Sequence, residues 1–464
     1  MRTKKSSRRS FLKKAAGTTI LAGASLNCTS RDILITENQS TALNRKFNAN
    51  EHIQIAAIGM GIMGFNNMRH TLKVPGVKLV AACDLYDGRL EHTREEFGKD
   101  IHLTKNYLEI LDRKDVDAVV ISTSDHWHDH MAIAAMKKGK HVYVEKPMVH
   151  RFEEGAAVIQ TQKETGKVLQ VGSQRVSSIV TLKAKELFEK NLIGDLILIE
   201  TWNDRQSANG AWQYSIPTDA QMGTVDWASF IGDAQKVDYD PVRFFRWRNY
   251  QAYGTGVAGD LFVHLFSALH TIISSNGPTK CYSTGGLRYW KDGRDVPDII
   301  TGLYDYPATA SRPGFNLQMR VNFVDGNGGG EMLRIIGSEG IIEVGWGEVK
   351  LIRNRIPRNP GYGGWDSFET FTVAQQKEFE RWYSATYKQE DEIKPETINY
   401  RAPEDYNTNL DHHLAWYAGI RDGKTIVEDA MFGMRAAGPA LMANKSFFEK
   451  RIIEWNPETA SLIN

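Results

Sequence analysis

The first strong pattern in the chain is Ile53-Gln54-Ile55-Ala56-Ala57-Ile58, a short apolar run of the kind that forms a strand buried on both faces. Similar runs recur from Val77 to Cys83, Ala118 to Ser122 and His141 to Val144, with helical stretches from about Phe65 to Leu72 and His128 to Lys138 among them. Strands alternating with helices predict a doubly wound parallel sheet, an α/β domain over residues 51–172. Further on the period changes. Phe315, Leu317, Met319, Val321 and Phe323 alternate with Asn316, Gln318, Arg320 and Asn322, the pattern of a strand with one wet face. Short strands near 196–201, 299–305 and 340–344 complete a large, mostly antiparallel open sheet, so residues 173–464 read as an α+β domain. The stretch from Trp346 to Tyr400 looks like an added decoration, with a helix from Val373 to Tyr387.

The first strand runs straight into Gly59-Met60-Gly61-Ile62-Met63-Gly64. In a GxGxxG turn the first glycine makes the bend, the second admits a pyrophosphate and the third lets helix and strand pack closely. Strand, glycines, helix, second strand and Asp84, 20 residues after Gly64, stand in the order of a Rossmann dinucleotide site. A carboxylate at Asp84 accepts hydrogen bonds from a ribose and repels a 2′-phosphate, which favours NAD over NADP.

From Asp260 to Ile273 apolar residues recur at helical spacing, leaving one polar stripe of Asp260, His264, Ser267 and Thr271. Asp260 and His264 are then neighbours, and a carboxylate beside a buried imidazole can fix its tautomer and keep it basic, or simply satisfy a core histidine. Lys146, in Glu145-Lys146-Pro147, ends a parallel strand, where α/β sheets place their ligands. Between Trp202 and Tyr253 lie four of the eleven tryptophans and Arg243-Phe244-Phe245-Arg246-Trp247-Arg248. Aromatic faces with arginines suit a sugar cleft, with Trp202, Arg246, Trp247 and Tyr253 as contacts, and equally suit a well-packed insertion. His412 and His413 could reach that cleft or face water. His126, His128 and His130 lack an acidic or cysteine complement, so no metal is expected.

Taken together, GxGxxG, Asp84, Ser124-Asp125-His126-Trp127-His128, Glu145-Lys146-Pro147 and the pair Asp260 and His264 resemble the Gfo/Idh/MocA oxidoreductases, over about residues 51–345. The resemblance implies that Lys146 holds a substrate hydroxyl and His264 takes its proton, with Asp260 beside them, while a hydride passes to the nicotinamide. It puts Gly59, Gly61, Ile62, Met63, Gly64, Asp84, Ser122, Thr123, His126, His128, Glu145 and Lys146 on the cofactor side, and Arg175 on the substrate side. It also implies a subunit contact on the outer sheet face, hence a dimer or tetramer. Two departures stand out: Ser267 replaces an aspartate common in the family, and Val176 a second arginine.

Charge completes the picture. Basic residues number 57 against 56 acids, which gives no sign of a nucleic-acid binder, and no apolar run reaches the roughly 20 residues of a membrane span. Residues 1–24 hold seven basic residues and no acid, with Ser7-Arg8-Arg9-Ser10-Phe11-Leu12-Lys13 matching the twin-arginine export pattern and Ala22-Gly23-Ala24 a cleavage site. Without those seven the net charge is −6, and residues 25–50 read as a flexible linker. Cys28 offers an alternative ending by lipidation, although Ser25-Leu26-Asn27 fits a lipobox poorly. Cys28, Cys83 and Cys281 make no disulfide framework. The expectation is a periplasmic, sugar-directed oxidoreductase, delivered by the twin-arginine machinery with its NAD tightly held. A redox-neutral NAD-dependent glycosidase is the alternative, and a non-catalytic sugar- or dinucleotide-binding protein a third reading.

Overall fold

The computed structural model describes residues 51–310, 312–388 and 395–463, with Arg31–Asp32, Leu43, Lys46 and Asn48. The basic segment 1–24, Cys28 and most of the linker lie outside the described residues.

The apolar runs form a six-stranded, wholly parallel sheet in the order His102–Thr104, Val77–Cys83, Ile53–Ile58, Ala118–Ile121, His141–Val144, Leu169–Val171. Ile55, Ala56, Val119, Val142 and Val144 are fully buried, as the continuous apolar composition requires. The strand order reverses beside Ile53–Ile58, and a ligand cleft opens at the carboxyl ends there.

The second sheet has eleven strands in the order Arg31–Asp32, Glu396–Arg401, Glu348–Arg353, Gly340–Val344, Gly330–Gly337, Leu196–Asp204, Phe315–Asn322, Lys280–Gly286 reached through Ile299–Tyr306, then Ile453–Asn456 and Ser461–Ile463. Two neighbouring pairs are parallel, Leu196–Asp204 with Phe315–Asn322 and Arg31–Asp32 with Glu396–Arg401, and the rest are antiparallel. Along Phe315–Asn322 the phenylalanine, leucine, methionine and valine are buried and Asn316, Gln318 and Arg320 exposed, so the period-two reading holds. Helices Ile179–Glu189, Val263–Ile273 and Ala430–Glu449 cover the buried face. Among the described residues no helix is long and apolar enough to cross a membrane.

Two features differ from the sequence reading, and a third decides between its alternatives. Helix Thr408–Asp422 turns back onto the first domain, seating Leu410, Trp416 and Tyr417 in the same core as Ile55, Met68 and Tyr143. His412 and His413 therefore face neither cleft nor water: His412 bonds Ser177 Oγ and the Val171 carbonyl, at 2.8 Å each, and His413 stacks on Tyr143. The aromatic stretch around Trp227 forms its own core with Phe230, Phe244, Phe245, Tyr250 and Tyr253. Trp202 pairs in register with Arg320, on the sheet face opposite Thr201 and Met319, so it points away from the covered side. A strand's two faces are distinguishable from sequence only when its neighbours are known, and Leu196–Asp204 is apolar on both.

Candidate active site

A cleft of about 720 Å³ runs along the carboxyl ends of the parallel strands. The glycine turn forms one wall. Gly59 has φ +89°, and a side chain there would meet the Ser122 backbone at 2.7 Å. Gly64 lies so close to the Gly59 carbonyl that a Cβ would sit 2.1 Å from its oxygen, while a Cβ on Gly61 would meet only the Arg89 guanidinium at 3.8 Å. The first and third glycines thus serve packing, and the second faces open space, as an approaching pyrophosphate requires. Helix Ile62–Thr71 starts at Gly61 with no side-chain cap, leaving its amino-terminal N–H groups available to an anion. Asp84 lines the cleft with its Oδ2 accepting from Met60 N at 2.7 Å and its Oδ1 from Tyr86 N at 2.9 Å. Arg89 stands 3.6 Å from Asp84 and also lines the cleft; it was not legible as a site residue from sequence, and its helix-start position after Asp84 was the available signal.

Ile62, Met63, Ser122, Thr123, His128, Glu145 and Lys146 line the same cleft. His128 is held by the carbonyls of Pro147 at 2.7 Å and Thr123 at 3.3 Å, and burial holds it below the usual imidazole range. Glu145 accepts from Asn67 Nδ2 at 2.9 Å, and burial pushes its carboxyl up. A Cβ on Gly172 would press on that carboxylate at 2.8 Å, so Gly172 keeps its seat open. His126 does not line the cleft. Its ring lies between the carbonyls of Phe230 at 2.9 Å and Tyr253 at 3.3 Å, tying the aromatic insertion to the first domain, and burial lowers it to about 4.

Deeper in, Lys146 Nζ donates to Asp260 Oδ1 at 2.8 Å and to the Asp260 carbonyl at 2.9 Å. The Lys146–Pro147 peptide is cis. Arg248 Nε reaches the same Oδ1 at 3.1 Å, and its guanidinium lies 4.2 Å from the centre of the Trp247 ring. These two cations hold the Asp260 carboxyl well below the usual range despite burial. Residues 258–262 are a π-helical turn ahead of helix Val263–Ile273, where the spacing predicts one α-helix from Asp260. Such turns concentrate at functional sites. The widened turn presents both the carbonyl and the carboxylate of Asp260 to Lys146, and among the described residues no hydrogen bond joins Asp260 to His264. Asp260 thus acts on the imidazole as a nearby charge rather than as a direct partner. His264 is half-buried; burial and then the charge of Lys146 hold it well below the usual imidazole range, with Asp260 opposing them and Arg175 and Arg205 reinforcing. It is therefore neutral at pH 7, the form that can accept a proton.

The substrate-side residues divide. Trp247 lines the cleft and Arg248, missed in the sequence, completes the charged cluster. Arg175 is buried, ion-paired with Glu331 and 5.2 Å from the Trp346 ring. Arg246 is instead turned to the Tyr214 carbonyl at 2.8 Å and to Gln213, Tyr253 is buried in the aromatic core, and Trp202 is on the far sheet face. None of the three lines the cleft, and the aromatic cluster that suggested a sugar platform packs mostly as a core.

Residues 53–173 match the Gfo/Idh/MocA oxidoreductase family, NAD-binding Rossmann fold. The first domain is thus similar to the NAD-binding Rossmann domains of that family. The chain is 34% identical over 160 residues to the scyllo-inositol 2-dehydrogenase (NAD(+)) of Bacillus subtilis strain 168, covering 34% of this chain and 46% of that protein. It is 37% identical over 125 residues to an alpha-N-acetylgalactosaminidase of Shewanella oneidensis, covering 25% and 27%. The chain thus spans less than half the length of these curated relatives. Both domains share their fold with GenD2 from gentamicin A biosynthesis in complex with NAD, at TM-score 0.62 and 17% identity over 89% of this chain and 99% of that one. Levoglucosan dehydrogenase in complex with NADH gives TM-score 0.61 at 15% identity, over 87% and 99%.

Proposed function

We propose that the protein is an exported oxidoreductase that moves a hydride between a sugar hydroxyl and a tightly held NAD. The observation that carries this reading is the cluster at the cleft's inner end, where buried Lys146 is fixed on Asp260 beside a neutral His264. The glycine turn and the start of helix Ile62–Thr71 would hold the pyrophosphate, Asp84 the adenosine ribose, and Glu145 and His128 would border the nicotinamide. When bound, that ring supplies a hydride acceptor. Lys146 then donates a hydrogen bond to the substrate hydroxyl, and His264 accepts its proton. Asp260, braced by Arg248, holds the lysine in place. Trp247 and Arg175 contribute to the substrate side.

The export pattern supports a captive cofactor: outside the cytoplasm no NAD pool replaces a lost molecule, so the redox cycle closes in place. A periplasmic location, delivery by the twin-arginine machinery, lipidation of Cys28 and a homodimer or homotetramer built on the outer sheet face all belong to this proposal. The likeness to an alpha-N-acetylgalactosaminidase favours one second reading, a redox-neutral glycosidase that oxidises, eliminates and reduces within one cycle.

The test is to purify the processed protein without added nucleotide, denature it and measure NAD(H) and NADP(H) per chain, then screen sugars and glycosides. Near-stoichiometric NAD is expected, and Lys146→Ala and His264→Ala should keep it while losing its reduction by sugar. Unchanged rates in both variants refute the mechanism. Solvent deuterium at the sugar carbon next to the oxidised one would select the glycosidase.

A further inference from the structure

The cleft has two walls, and the second does not come from the parallel-sheet domain. Phe230, Phe244, Phe245 and Trp247, from the aromatic segment between Tyr214 and Tyr253, line it together with Gly61 and Asp84. The Arg89 guanidinium bridges the walls, 3.8 Å from where a Cβ on Gly61 would stand and 5.2 Å from the Phe245 ring centre. The segment has a core of its own, to which the first domain lends Tyr86 and the flank of Leu85. Its hydrogen bonds to the first domain gather in two seams. After strand Val77–Cys83, Asp226 N donates to the Leu85 carbonyl at 2.8 Å and Asp87 N to the Thr224 carbonyl at 3.0 Å, which pairs Tyr86 with Val225. Lys105 Nζ reaches the same Thr224 carbonyl at 3.4 Å, and the Tyr86 hydroxyl donates to Asp219 Oδ1 at 2.5 Å. In the second seam His126 and Trp127 both donate to the Phe230 carbonyl, at 2.9 and 3.0 Å, and His150 Nε2 donates to the Gln251 carbonyl at 2.9 Å. A body with a separate core, tied by loop hydrogen bonds, can part from the first domain without opening either main core.

We propose that the segment from Tyr214 to Tyr253 is a clasp over the bound dinucleotide, which leaves only when the seams part. The proposal rests on the reading of a tightly held NAD and gives that tightness a cause. A glycine turn and a helix start grip a pyrophosphate from one side only. With aromatic rings and Arg89 opposite them, the cofactor is enclosed, and dissociation waits for the clasp to open. The release rate then follows the fraction of time a seam is open, so a weakened seam speeds release and a covalently closed one slows it. Against a fixed wall, the strength of a seam outside the cleft has no effect on release. Tyr86, Asp219 and Val225 do not line the cleft, so changing them alters the first seam and leaves every lining side chain as it was.

Release is measured on the NADH-loaded full chain, mixed with excess NAD, by the loss of energy transfer from tryptophan to bound NADH. Tyr86 and Val225 are a cross-strand pair flanked by hydrogen bonds on both sides, a geometry with Cα atoms about 4.5 Å apart that a disulfide can span. In the double variant Tyr86→Cys, Val225→Cys, release should be about tenfold or more slower with the disulfide formed than after its reduction. Equal rates in the two states overturn the proposal. Each sample is its own control, so general damage from the two substitutions does not move the ratio. If the pair does not fold, Tyr86→Phe decides: losing one charge-assisted hydrogen bond should speed release about five- to tenfold, and an unchanged rate overturns the clasp. The reading of a captive cofactor fails separately. Wild type purified empty, with release of added NADH still sensitive to the disulfide, supports the clasp and removes captive NAD, whereas NAD-filled wild type with insensitive release does the reverse.

Discussion

Asp260→Asn keeps the shape of the side chain and removes the one negative charge that Lys146 and Arg248 share at 2.8 and 3.1 Å. The three side chains are 6%, 7% and 19% exposed, so water does little to replace the lost partner. Breaking a buried ion pair from one side costs about 3–5 kcal/mol, and here two cations are stranded at once, which puts the expectation at the top of that range. Lys146→Met is different in kind. It removes one cation and leaves Asp260 with Arg248, so the loss should be nearer ~1–2 kcal/mol. For a unit of about 290 residues, with an unfolding entropy near 2.1 cal/mol/K per residue, the aspartate variant should melt roughly 8 °C lower. Urea unfolding followed by tryptophan fluorescence gives both values. Turnover should vanish in both variants, but stability should fall much further in Asp260→Asn. If Asp260→Asn stays within about 1 kcal/mol of wild type, or if Lys146→Met is the more damaging, the shared-charge reasoning is wrong.

Gly64→Ala places a methyl 2.1 Å from the Gly59 carbonyl, more than an ångström inside van der Waals contact, so NAD released per chain should drop to near zero while the second domain still folds; full NAD content would contradict it. Burial lowers His412 to about 4, so between pH 6.5 and 4 the unfolded chain binds a proton that the folded chain refuses. Its contribution is intact above pH 6.5 and falls by about 2 kcal/mol by pH 5. Glu154, raised to about 7 by burial, pulls the other way in wild type and variant alike. His412→Gln should therefore flatten the loss of stability on acidification by about that amount, measured by urea melts at pH 7 and 5, and an unchanged slope would refute the assignment.

How much of this was legible in the sequence depends on how far apart the partners lie. The glycine turn, Asp84 and the strand ending at Lys146 are local patterns, and each stands where the pattern puts it. The alternation along Phe315–Asn322 likewise needed only its own residues. The errors fall where the partner is remote. Nothing near Trp202 reveals that its strand pairs with Phe315–Asn322, which decides the face it occupies. Tyr253 and Arg246 sit in an aromatic-rich stretch whose composition fits a ligand cleft and a core equally. Asp260 was placed on the right element, but the π-helical turn that hands its carboxylate to Lys146 leaves no mark in hydrophobic spacing. Arg248 was invisible as a site residue because a single arginine acquires meaning only from the charges the fold gathers around it.

The return of helix Thr408–Asp422 to the first domain also sets an order of events during synthesis. The six parallel strands are complete at Val171, yet part of their core waits for Leu410, Trp416 and Tyr417, more than two hundred residues later. Until those residues leave the ribosome the surface around Met68 and Tyr143 is uncovered, and the first domain must remain loose or be sheltered. A chain stopped anywhere before Thr408 would carry every strand and glycine of the nucleotide site and still lack the lid on its core. The dinucleotide domain is therefore the first part to be made and among the last to be finished.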